Sequence, residues 1–362
     1  MSTKYNILIF GASYGSLFAA KLLLADHSVQ LVCLPDEAKL INDAGIRVRL
    51  PVRGLSDLVE VDSRNLNGQL SACEPCNATV KETDLVILAM QEPQYGAHDV
   101  RTLLDDVALA GVPCMSIMNM PPLAYMRRIP GIDSKLLEEC YTDPSVWDNF
   151  DPANITLCSP DPQAFRPPDE KPNVLQVSLP TNFKAAAFEV EKHTAILRDI
   201  QADIEAITFD AGSESVNLPV KLKVHDSLYV PLAKWSMLLT GNYRCIQESD
   251  MQSIRDAVHS DIEASRAMYD WVCDLCVSIG ASRDDLVPFD KYAAAAGGLA
   301  KPSSAARALL AGRPNIERVD RLIRDIARQK GRRSPVLDYT VGLVDVWLKR
   351  NRKHNGRVQR HN

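Results

Sequence analysis

A short run, Asn6-Ile-Leu-Ile-Phe10, is followed by the turn Gly11-Ala-Ser-Tyr-Gly-Ser16 and by the mainly apolar stretch Leu17–Ala25. Apolar runs of this length that end at glycine are typical of buried parallel strands, and the longer stretch after the turn is typical of a helix. A second apolar run, Val29–Leu34, completes a strand–helix–strand unit. The opening of the chain therefore predicts an α/β domain with a Rossmann-type, doubly wound parallel sheet.

Two later apolar runs, Asp84–Met90 and Val112–Met118, are predicted to add strands to this sheet. Each is followed by a polar or irregular segment, as expected at the carboxyl edge where doubly wound sheets bind ligands. The segment Val48–Val61 is less regular and fits either an edge hairpin or an inserted loop.

The turn after the first strand has the features of a phosphate-binding turn. Such a turn needs glycine where the backbone bends sharply, small residues beside the pyrophosphate, and a helix N-terminus with free N–H groups. The usual spacing has glycine where this chain has Ser13 and Ser16, so a tight turn without a ligand is the alternative. The dinucleotide-binding residues predicted here are Gly11, Ala12, Ser13, Tyr14, Gly15 and Ser16.

The residues after the second strand bear on the choice between NAD and NADP. Asp36 is the acidic residue predicted to bind the ribose hydroxyls, whereas an arginine in this region would hold a 2′-phosphate. No Arg or Lys occurs from Cys33 to Glu37, which favours NADH, although Lys39 or a later loop could supply the charge. The expected cofactor is therefore NADP or NAD.

The middle of the chain changes composition. Residues 143–172 are rich in proline and aspartate and are predicted to form a long surface loop. A strand at Asn173–Ser178 and an amphipathic helix at Ala185–Ile207 are predicted to follow. The first domain is therefore expected to span residues 1–222.

Helical periodicity dominates the rest of the chain and predicts an all-α domain for substrate binding and dimerisation over residues 223–348. The predicted helices are Leu228–Leu239, Met251–Ile279, Ser303–Leu310, Ile316–Lys330 and Val336–Leu348. Residues 349–362 contain six Lys or Arg residues and few apolar ones, so we expect a basic, disordered tail.

Composition excludes several classes of protein. The 362 residues carry 41 basic and 46 acidic side chains, a formal charge of −5, which argues against nucleic-acid binding. Apolar runs stay below the roughly 18 residues that a membrane helix needs. Nine cysteines without a secretory signal fit a cytoplasmic protein better than a disulfide framework. The pairs Cys73/Cys76 and Cys273/Cys276 have zinc-like spacing but lie too far apart in the chain for us to expect a metal.

Several stretches resemble the ketopantoate reductase (2-dehydropantoate 2-reductase) family in order and spacing. They are Ser116-Ile-Met-Asn119, Leu232-Ala-Lys234-Trp235, Lys301-Pro-Ser303-Ser304 and Gly312-Arg313-Pro314, together with the opening strand–turn–helix unit. The resemblance implies an N-terminal dinucleotide domain, a C-terminal helical domain, and the reduction of a 2-oxo acid by a nicotinamide hydride.

The resemblance also implies roles for individual residues. Lys234 corresponds to the general acid of the family, Asn242 to an asparagine on the same helix, and Asn119 to the asparagine that orders nicotinamide and substrate. Eight residues are about two turns of an α-helix, so Lys234 and Asn242 are expected to share a face. Ser304 corresponds to the residue that binds the substrate carboxylate, with Ser303 and Glu317 as further substrate-binding candidates.

Other family positions differ. Leu34 stands in place of an arginine, Leu238 in place of a second asparagine, and Gln91 in place of a lysine near the cofactor. Met90 and Gln91 are nevertheless predicted to lie beside the cofactor. These differences indicate a divergent member with its own substrate.

The chemistry can also be argued without the family. Hydride addition to a carbonyl builds negative charge on oxygen, so a proton donor such as Lys234 is needed. A lysine that only covers an apolar helix flank is the alternative for that residue. The sequence thus predicts an NAD(P)-dependent oxidoreductase acting on a small anionic carbonyl compound, and we expect that it could form a homodimer. An opine-type or imine-reducing dehydrogenase and a non-catalytic dinucleotide-binding protein are the alternatives.

Overall fold

The computed structural model describes residues 3–212 and 215–358. Its strands are β1 Asn6–Phe10, β2 Ser28–Val32, β3 Arg47–Pro51, β4 Leu58–Asp62, β5 Leu70–Cys73, β6 Leu85–Leu88, β7 Cys114–Ile117, β8 Ile155–Ser159, β9 Gln163–Phe165, β10 Val174–Leu179, β11 Phe183–Ala186, β12 Phe209–Asp210, β13 Ser215–Val216 and β14 Leu222–His225. Its α-helices are α1 Gly15–Leu24, α2 Pro35–Ala44, α3 His98–Ala110, α4 Leu123–Met126, α5 Glu191–Ala206, α6 Lys234–Met237, α7 Ile254–His259, α8 Ile262–Ser278, α9 Phe289–Ala296, α10 Ser304–Leu310, α11 Val319–Gln329 and α12 Pro335–Val358.

The main sheet has the strand order β14-β11-β8-β7-β6-β1-β2-β5. From β5 to β8 all neighbouring strands are parallel, and their order is that of a dinucleotide-binding sheet. The strands β2 and β5 are added on one side of β1, and β6, β7 and β8 are added on the other. At the far edge, β11 runs antiparallel to β8 and parallel to β14. A doubly wound α/β sheet followed by a helical region confirms the predicted fold class.

The prediction that residues 143–172 form one long loop is wrong. Ile155–Ser159 is strand β8, fully buried, and it pairs with β7 inside the main sheet. The strand is difficult to predict from the sequence because it is only five residues long. The Asp-Pro and Ser-Pro pairs on either side of it are typical of loops. The segment therefore supplies the sixth strand of the parallel order.

The segment Val48–Val61 is a hairpin, one of the two alternatives that the sequence allowed. Strands β3 and β4 are antiparallel, and β3 also pairs with β10, so they belong to a second sheet of order β4-β3-β10-β9. The short strand β5, which the sequence analysis missed, takes the edge of the main sheet instead.

Two predicted helices are shorter than expected. The residues predicted as a helix from Ala185 begin with the last part of strand β11, so α5 starts only at Glu191. The helix predicted over Met251–Ile279 is two helices, because the Asp261 side chain accepts a hydrogen bond from the Ala264 N–H (2.9 Å) and begins α8 anew.

Contacts within the chain divide it into two compact units. The first contains the chain up to Met90, Gln94–Arg128 and Ser145–Asp226, and the second contains Gln91–Pro93, Ile129–Pro144 and the chain from Ser227 onward. The sequence-based division at residue 222 placed residues 91–93 and 129–144 in the first domain.

The prediction of a disordered tail from residue 349 is wrong for the residues that the structure describes, because α12 continues to Val358. Its last turns are held by side chains: the Asn351 amide donates to the carbonyls of Leu309 (2.9 Å) and Arg313 (3.0 Å), and Arg352 donates to the carbonyl of Pro314 (2.9 Å). Residues 359–362 of the expected tail lie outside the described residues.

In the described ranges, none of the helices combines the length and the apolar character needed to cross a membrane. Those ranges also lack a group of three or more His, Cys, Asp and Glu side chains placed to hold a metal ion. Cys273 and Cys276 are buried in α8.

Helix α1 is buried on nearly all sides, and its burial includes a lysine. Nine of its ten residues are buried, and Lys21 is only 4% exposed. Burial, with a smaller effect of the nearby Lys221 charge, lowers the pKa of Lys21 from 10.5 to about 7.

We predict that Lys21→Met stabilises the protein most at low pH. The unfolded chain binds this proton up to about pH 10, whereas the folded chain releases it near pH 7. The wild type should therefore gain stability between about pH 7 and 10, and the advantage of the variant, about 5 kcal/mol at pH 6, should shrink over that interval. Urea unfolding at several pH values measures this. Lys39→Met, at an exposed position of α2, is the control, and a pH-independent advantage of Lys21→Met would contradict the prediction.

Candidate active site

The ends of the central parallel strands bring several predicted cofactor-binding residues to one edge of the first unit. Phe10 pairs with Leu88, and Leu88 pairs with Ser116, so the chain leaves β1, β6 and β7 at the same edge. Gly11 follows β1 directly, whereas Met90 and Asn119 come two residues after β6 and β7. The structure therefore places these three residues together at the carboxyl edge.

Glycine is required at Gly11 by both conformation and space. Its φ is +96°, a value that residues with a side chain rarely adopt. A Cβ at this position would lie 2.6 Å from Cγ of Met90 and 3.0 Å from the carbonyl oxygen of Ala89. The sharp bend after β1 thus depends on this residue.

Gly15 allows helix α1 to approach the sheet. A Cβ there would lie 2.8 Å from Cγ2 of Ile9, in the middle of strand β1. In dinucleotide-binding turns one glycine has this packing role. Here it lies one residue earlier than the usual spacing suggests.

The N-terminus of α1 has no side-chain cap. The hydroxyl of Ser16 donates to the carbonyl of Ala12, and the Tyr14 hydroxyl donates to the carbonyl of Pro162 (2.7 Å). Ser13 is exposed at the turn. No side chain caps the first N–H groups of α1, as expected for an anion-binding helix N-terminus, while the N–H groups of Ser16 and Leu17 donate to the backbone carbonyls of Ser13 (3.3 Å) and Tyr14 (3.1 Å).

These residues fit a dinucleotide. The pyrophosphate would face the turn and the uncapped helix, where the helix dipole favours negative charge. Tyr14 would contribute through its backbone, because its ring packs edge-on against Phe183. Asp36 is exposed in the first turn of α2, just after β2.

The second unit contains the predicted catalytic lysine at the start of a distorted helix. Lys234, which is partly buried, begins α6, and the residues Leu238–Asn242 that follow form a π-helix. The expectation that Lys234 and Asn242 share a face assumed a regular α-helix between them. Because a π-helix has more residues per turn, eight residues no longer correspond to two turns here. Single π turns are often found at functional sites.

The π-helix is stabilised by a tyrosine from another helix. The Tyr292 hydroxyl donates to the carbonyl of Met237 (3.0 Å), immediately before the π turn. Gly241 leaves room for it, since a Cβ there would collide with that hydroxyl. The distortion between Lys234 and Asn242 is thus built into the packing of α9 on this segment.

The structure brings Asn242 and Ser303 together. The Ser303 hydroxyl donates to the carbonyl of Asn242 (2.7 Å) and accepts from the N–H of Ala306 (3.2 Å) as the cap of α10. Ser303 is buried, whereas Ser304, the first residue of α10, is exposed. The hydrogen-bonding capacity of Ser303 is used within the protein, and Ser304 is the serine that faces outward.

Glu317 is bound to the residue that follows the π-helix, Tyr243. The Tyr243 hydroxyl donates to the carbonyl of Glu317 and accepts from the N–H of Val319 (3.1 Å). The predicted catalytic residue Asn242 and the predicted substrate-binding residues Ser303 and Glu317 are therefore linked around one point of the second unit.

A carboxylate that the sequence analysis missed lies beside Glu317. The backbone N–H of Glu92 donates to Oε1 of Glu317 (3.4 Å), and both oxygens of the Glu92 carboxylate accept hydrogen bonds from Thr142, from its N–H (2.8 Å) and its hydroxyl (3.0 Å). Burial, with a contribution from the Glu317 charge, raises the pKa of Glu92 to about 7. The one sequence signal is that Glu92 follows a predicted strand by two residues.

The remaining predicted residues divide between the units. Asn119, Met90 and the Gly11–Ser16 turn belong to the first unit, whereas Gln91, Lys234 and the residues around Asn242 belong to the second. Gln91 is exposed.

We predict that Glu92→Gln changes how stability depends on pH. The folded protein keeps a proton on Glu92 up to about pH 7, whereas the unfolded chain releases it near 4.5, so the wild type should lose stability as pH rises between these values. The glutamine keeps the shape and stays neutral, so its advantage should grow to about 3 kcal/mol above pH 7. Chemical denaturation at pH 5, 6, 7 and 8 tests this. Glu138→Gln, an exposed site in the same unit, is the control, and parallel pH curves for wild type and Glu92→Gln would contradict the prediction.

Comparison with known proteins gives similarity in structure only. No family profile matches the chain, and no curated protein matches it in sequence. Among solved structures, 2-dehydropantoate 2-reductase from Methylococcus capsulatus matches with a TM-score of 0.65 and 15% identity over 96% of this chain and 97% of that one. D-mandelate dehydrogenase, solved with NADH and anilino(oxo)acetate, matches with a TM-score of 0.62 and 14% identity over 96% and 99%.

A dimeric ketopantoate reductase from Staphylococcus aureus also matches, with a TM-score of 0.58 and 11% identity over 96% of this chain and 99% of that one. The matches cover nearly the whole of each chain, so they include both the sheet and the helical region. This chain therefore has the fold of the ketopantoate reductases and of D-mandelate dehydrogenase.

Proposed function

We propose that the chain is an NAD(P)H-dependent reductase that transfers a hydride to the carbonyl carbon of a small 2-oxo acid or a related carbonyl compound. The observation that carries the proposal lies around the π-helix that begins one turn after Lys234. There the Ser303 hydroxyl donates to the carbonyl of Asn242, and the Tyr243 hydroxyl donates to the carbonyl of Glu317. It occurs in a chain whose other unit has an uncapped helix directly after the central strand of a dinucleotide-binding sheet. The fold shared with 2-oxo acid reductases supports the same assignment.

In this mechanism the reduced nicotinamide, when bound, supplies the hydride. The Nζ of Lys234 holds the proton that the carbonyl oxygen takes up as negative charge develops on it, and its positive charge stabilises that oxygen beforehand. Asn119 and Asn242 orient the reacting groups without competing as bases, because amides do not titrate in this range.

Ser304 binds the carboxylate of the substrate in this proposal. Its exposed position at the start of α10 leaves its hydroxyl accessible, whereas the bonds of Ser303 to Asn242 and Ala306 give Ser303 a positioning role. Glu317 accepts a hydrogen bond from a second polar group of the substrate, and Glu92 lies beside it within the protein.

The pair of buried carboxylates favours one second candidate. Glu317, buried beside Glu92, would suit a substrate with an ammonium group, as in an imine-reducing or opine-type dehydrogenase. Turnover that depends on an added amine would support that function over simple carbonyl reduction. We also propose a homodimer, in keeping with the description of the Staphylococcus aureus protein as dimeric.

We predict that Lys234→Ala binds the reduced cofactor like the wild type but loses turnover. Removal of the proton donor should lower kcat by about a hundredfold to a thousandfold. Fluorescence titration with NADH and NADPH measures binding, and cofactor oxidation with a panel of 2-oxo acids, including ketopantoate, measures turnover. Lys234→Arg keeps the charge but donates a proton poorly, so it should retain binding and remain slow.

A second pair of variants separates binding from catalysis. Ser13→Glu places a carboxylate at the phosphate-binding turn and should abolish cofactor binding, while Ser13→Ala should retain it, because Ser13 is exposed and neither change fills the core. If the wild type binds neither cofactor, the turn is structural only and the proposed function is wrong. Full activity of Lys234→Ala would remove the role proposed for that lysine alone.

A further inference from the structure

The carboxyl end of β2 lies beside the phosphate-binding turn. The N–H of Gly11 donates to the carbonyl of Val32, the last residue of β2, at 2.8 Å. Beyond it, Cys33 and Leu34 lead into α2, whose first turn contains Asp36 and Glu37. In a dinucleotide-binding sheet this is the place of the adenosine ribose, where the difference between NADH and NADPH is recognised.

The sequence shows no basic residue here, but the structure supplies one from a distant segment. Arg166 follows β9 directly, and its guanidinium Nη2 donates to Oε1 of Glu37, 129 residues away in the chain. Both side chains also influence the pKa of the Cys33 thiol, which burial raises, with Glu37 acting in the same direction and Arg166 against it. Arg166 and Glu37 therefore both lie at the end of β2.

Each side chain of the Glu37–Arg166 pair is positioned by regular secondary structure. Glu37 sits in the first turn of α2, which is packed against strand β5, and its side chain is 15% exposed. Arg166 is positioned by β9, which pairs with β10 of the second sheet. Its side chain is about a third exposed, so it can be reached from solvent.

The surroundings of the pair are apolar or acidic. Leu34, where the ketopantoate reductase family has an arginine, is 74% exposed and offers a flat apolar surface rather than a charge. Asp36, also exposed, adds a second carboxylate. The first turn of α2 thus presents two carboxylates against the one guanidinium of Arg166, and Lys39 lies exposed in the next turn of the helix.

We propose that the Glu37–Arg166 ion pair makes this protein select NADH over NADPH. This inference rests on the proposed function, since it needs a dinucleotide at the turn. A free arginine would match a phosphate through paired hydrogen bonds. Here Glu37 occupies the guanidinium and cancels its charge, so a 2′-phosphate would face two carboxylates and would have to displace one of them.

The ribose of NADH meets no such conflict. Its 2′-hydroxyl can donate to a carboxylate, and Glu37 and Asp36 are both at this edge. Arg166 then acts by fixing the position of the Glu37 carboxylate. The selection thus comes from an unfavourable interaction with the wrong cofactor as much as from a favourable one with the right cofactor.

The test compares NADH and NADPH affinities of the full-length protein by nicotinamide fluorescence. The wild type should bind NADH more tightly. In Glu37→Gln the arginine is released and a carboxylate is lost, so NADPH affinity should rise at least tenfold. NADH affinity should fall by a few fold, because the glutamine amide oxygen is a weaker acceptor for the 2′-hydroxyl than the carboxylate. In the double variant Glu37→Gln with Arg166→Met, the gain in NADPH affinity should disappear. Asp43→Asn, an exposed site on the same helix, is the control and should leave both affinities unchanged.

The outcomes separate this inference from the proposed function. An unchanged NADH-to-NADPH ratio in Glu37→Gln, with NADH still bound, overturns the inference alone. A wild type that prefers NADPH and loses the preference in Arg166→Met also overturns it, because Arg166 would then bind the phosphate directly. A wild type that binds neither cofactor overturns the proposed function and this inference with it. A urea unfolding transition of Glu37→Gln at the wild-type midpoint verifies that the variant is folded.

Discussion

The close approach of helix α1 to strand β1 is the constraint on which the candidate cofactor site depends. Gly11 bends the chain at a positive φ against Met90, and Gly15 lets the helix rest on Ile9 without an intervening Cβ. The two glycines let the helix begin at the carboxyl end of the central strand, where no side chain caps it. The spacing differs from the common glycine pattern, yet the two physical requirements, a sharp bend and a close contact, are met by the residues present.

A comparable constraint organises the second unit. The π-helix at Leu238–Asn242 could not pack as it does without Gly241, and its neighbouring carbonyl is satisfied by Tyr292. Tyr243 and the carbonyl of Asn242 then fix the backbone of Glu317 and the hydroxyl of Ser303. Ser303 and Glu317, each more than sixty positions further along the chain, are thereby fixed against the segment that begins with Lys234.

Local signals predicted the opening unit and the helical region, because apolar periodicity and glycine placement act over a few residues. They failed where structure depends on distant partners. Strand β8 is hidden between proline-rich flanks and is stabilised by pairing with β7. The buried carboxylate of Glu92 is bound by Thr142, fifty residues away in the chain, and Arg166 reaches Glu37 from the second sheet. The helical end of the chain depends on Asn351 binding the carbonyls that follow α10. None of these contacts leaves a pattern within one element of the sequence.

The central claim is that the protein moves a hydride to a carbonyl carbon, and an isotope experiment tests it most directly. The protein would be incubated with reduced nicotinamide cofactor carrying deuterium at C4, in each stereochemistry, and with 2-oxo acids in turn. The account predicts a 2-hydroxy acid that has gained one deuterium at the hydroxyl-bearing carbon from only one of the two labelled cofactors, detected by mass spectrometry. Tight cofactor binding with no deuterated product from any carbonyl compound, with or without an added amine, would contradict it and would favour a protein that binds the dinucleotide without catalysis.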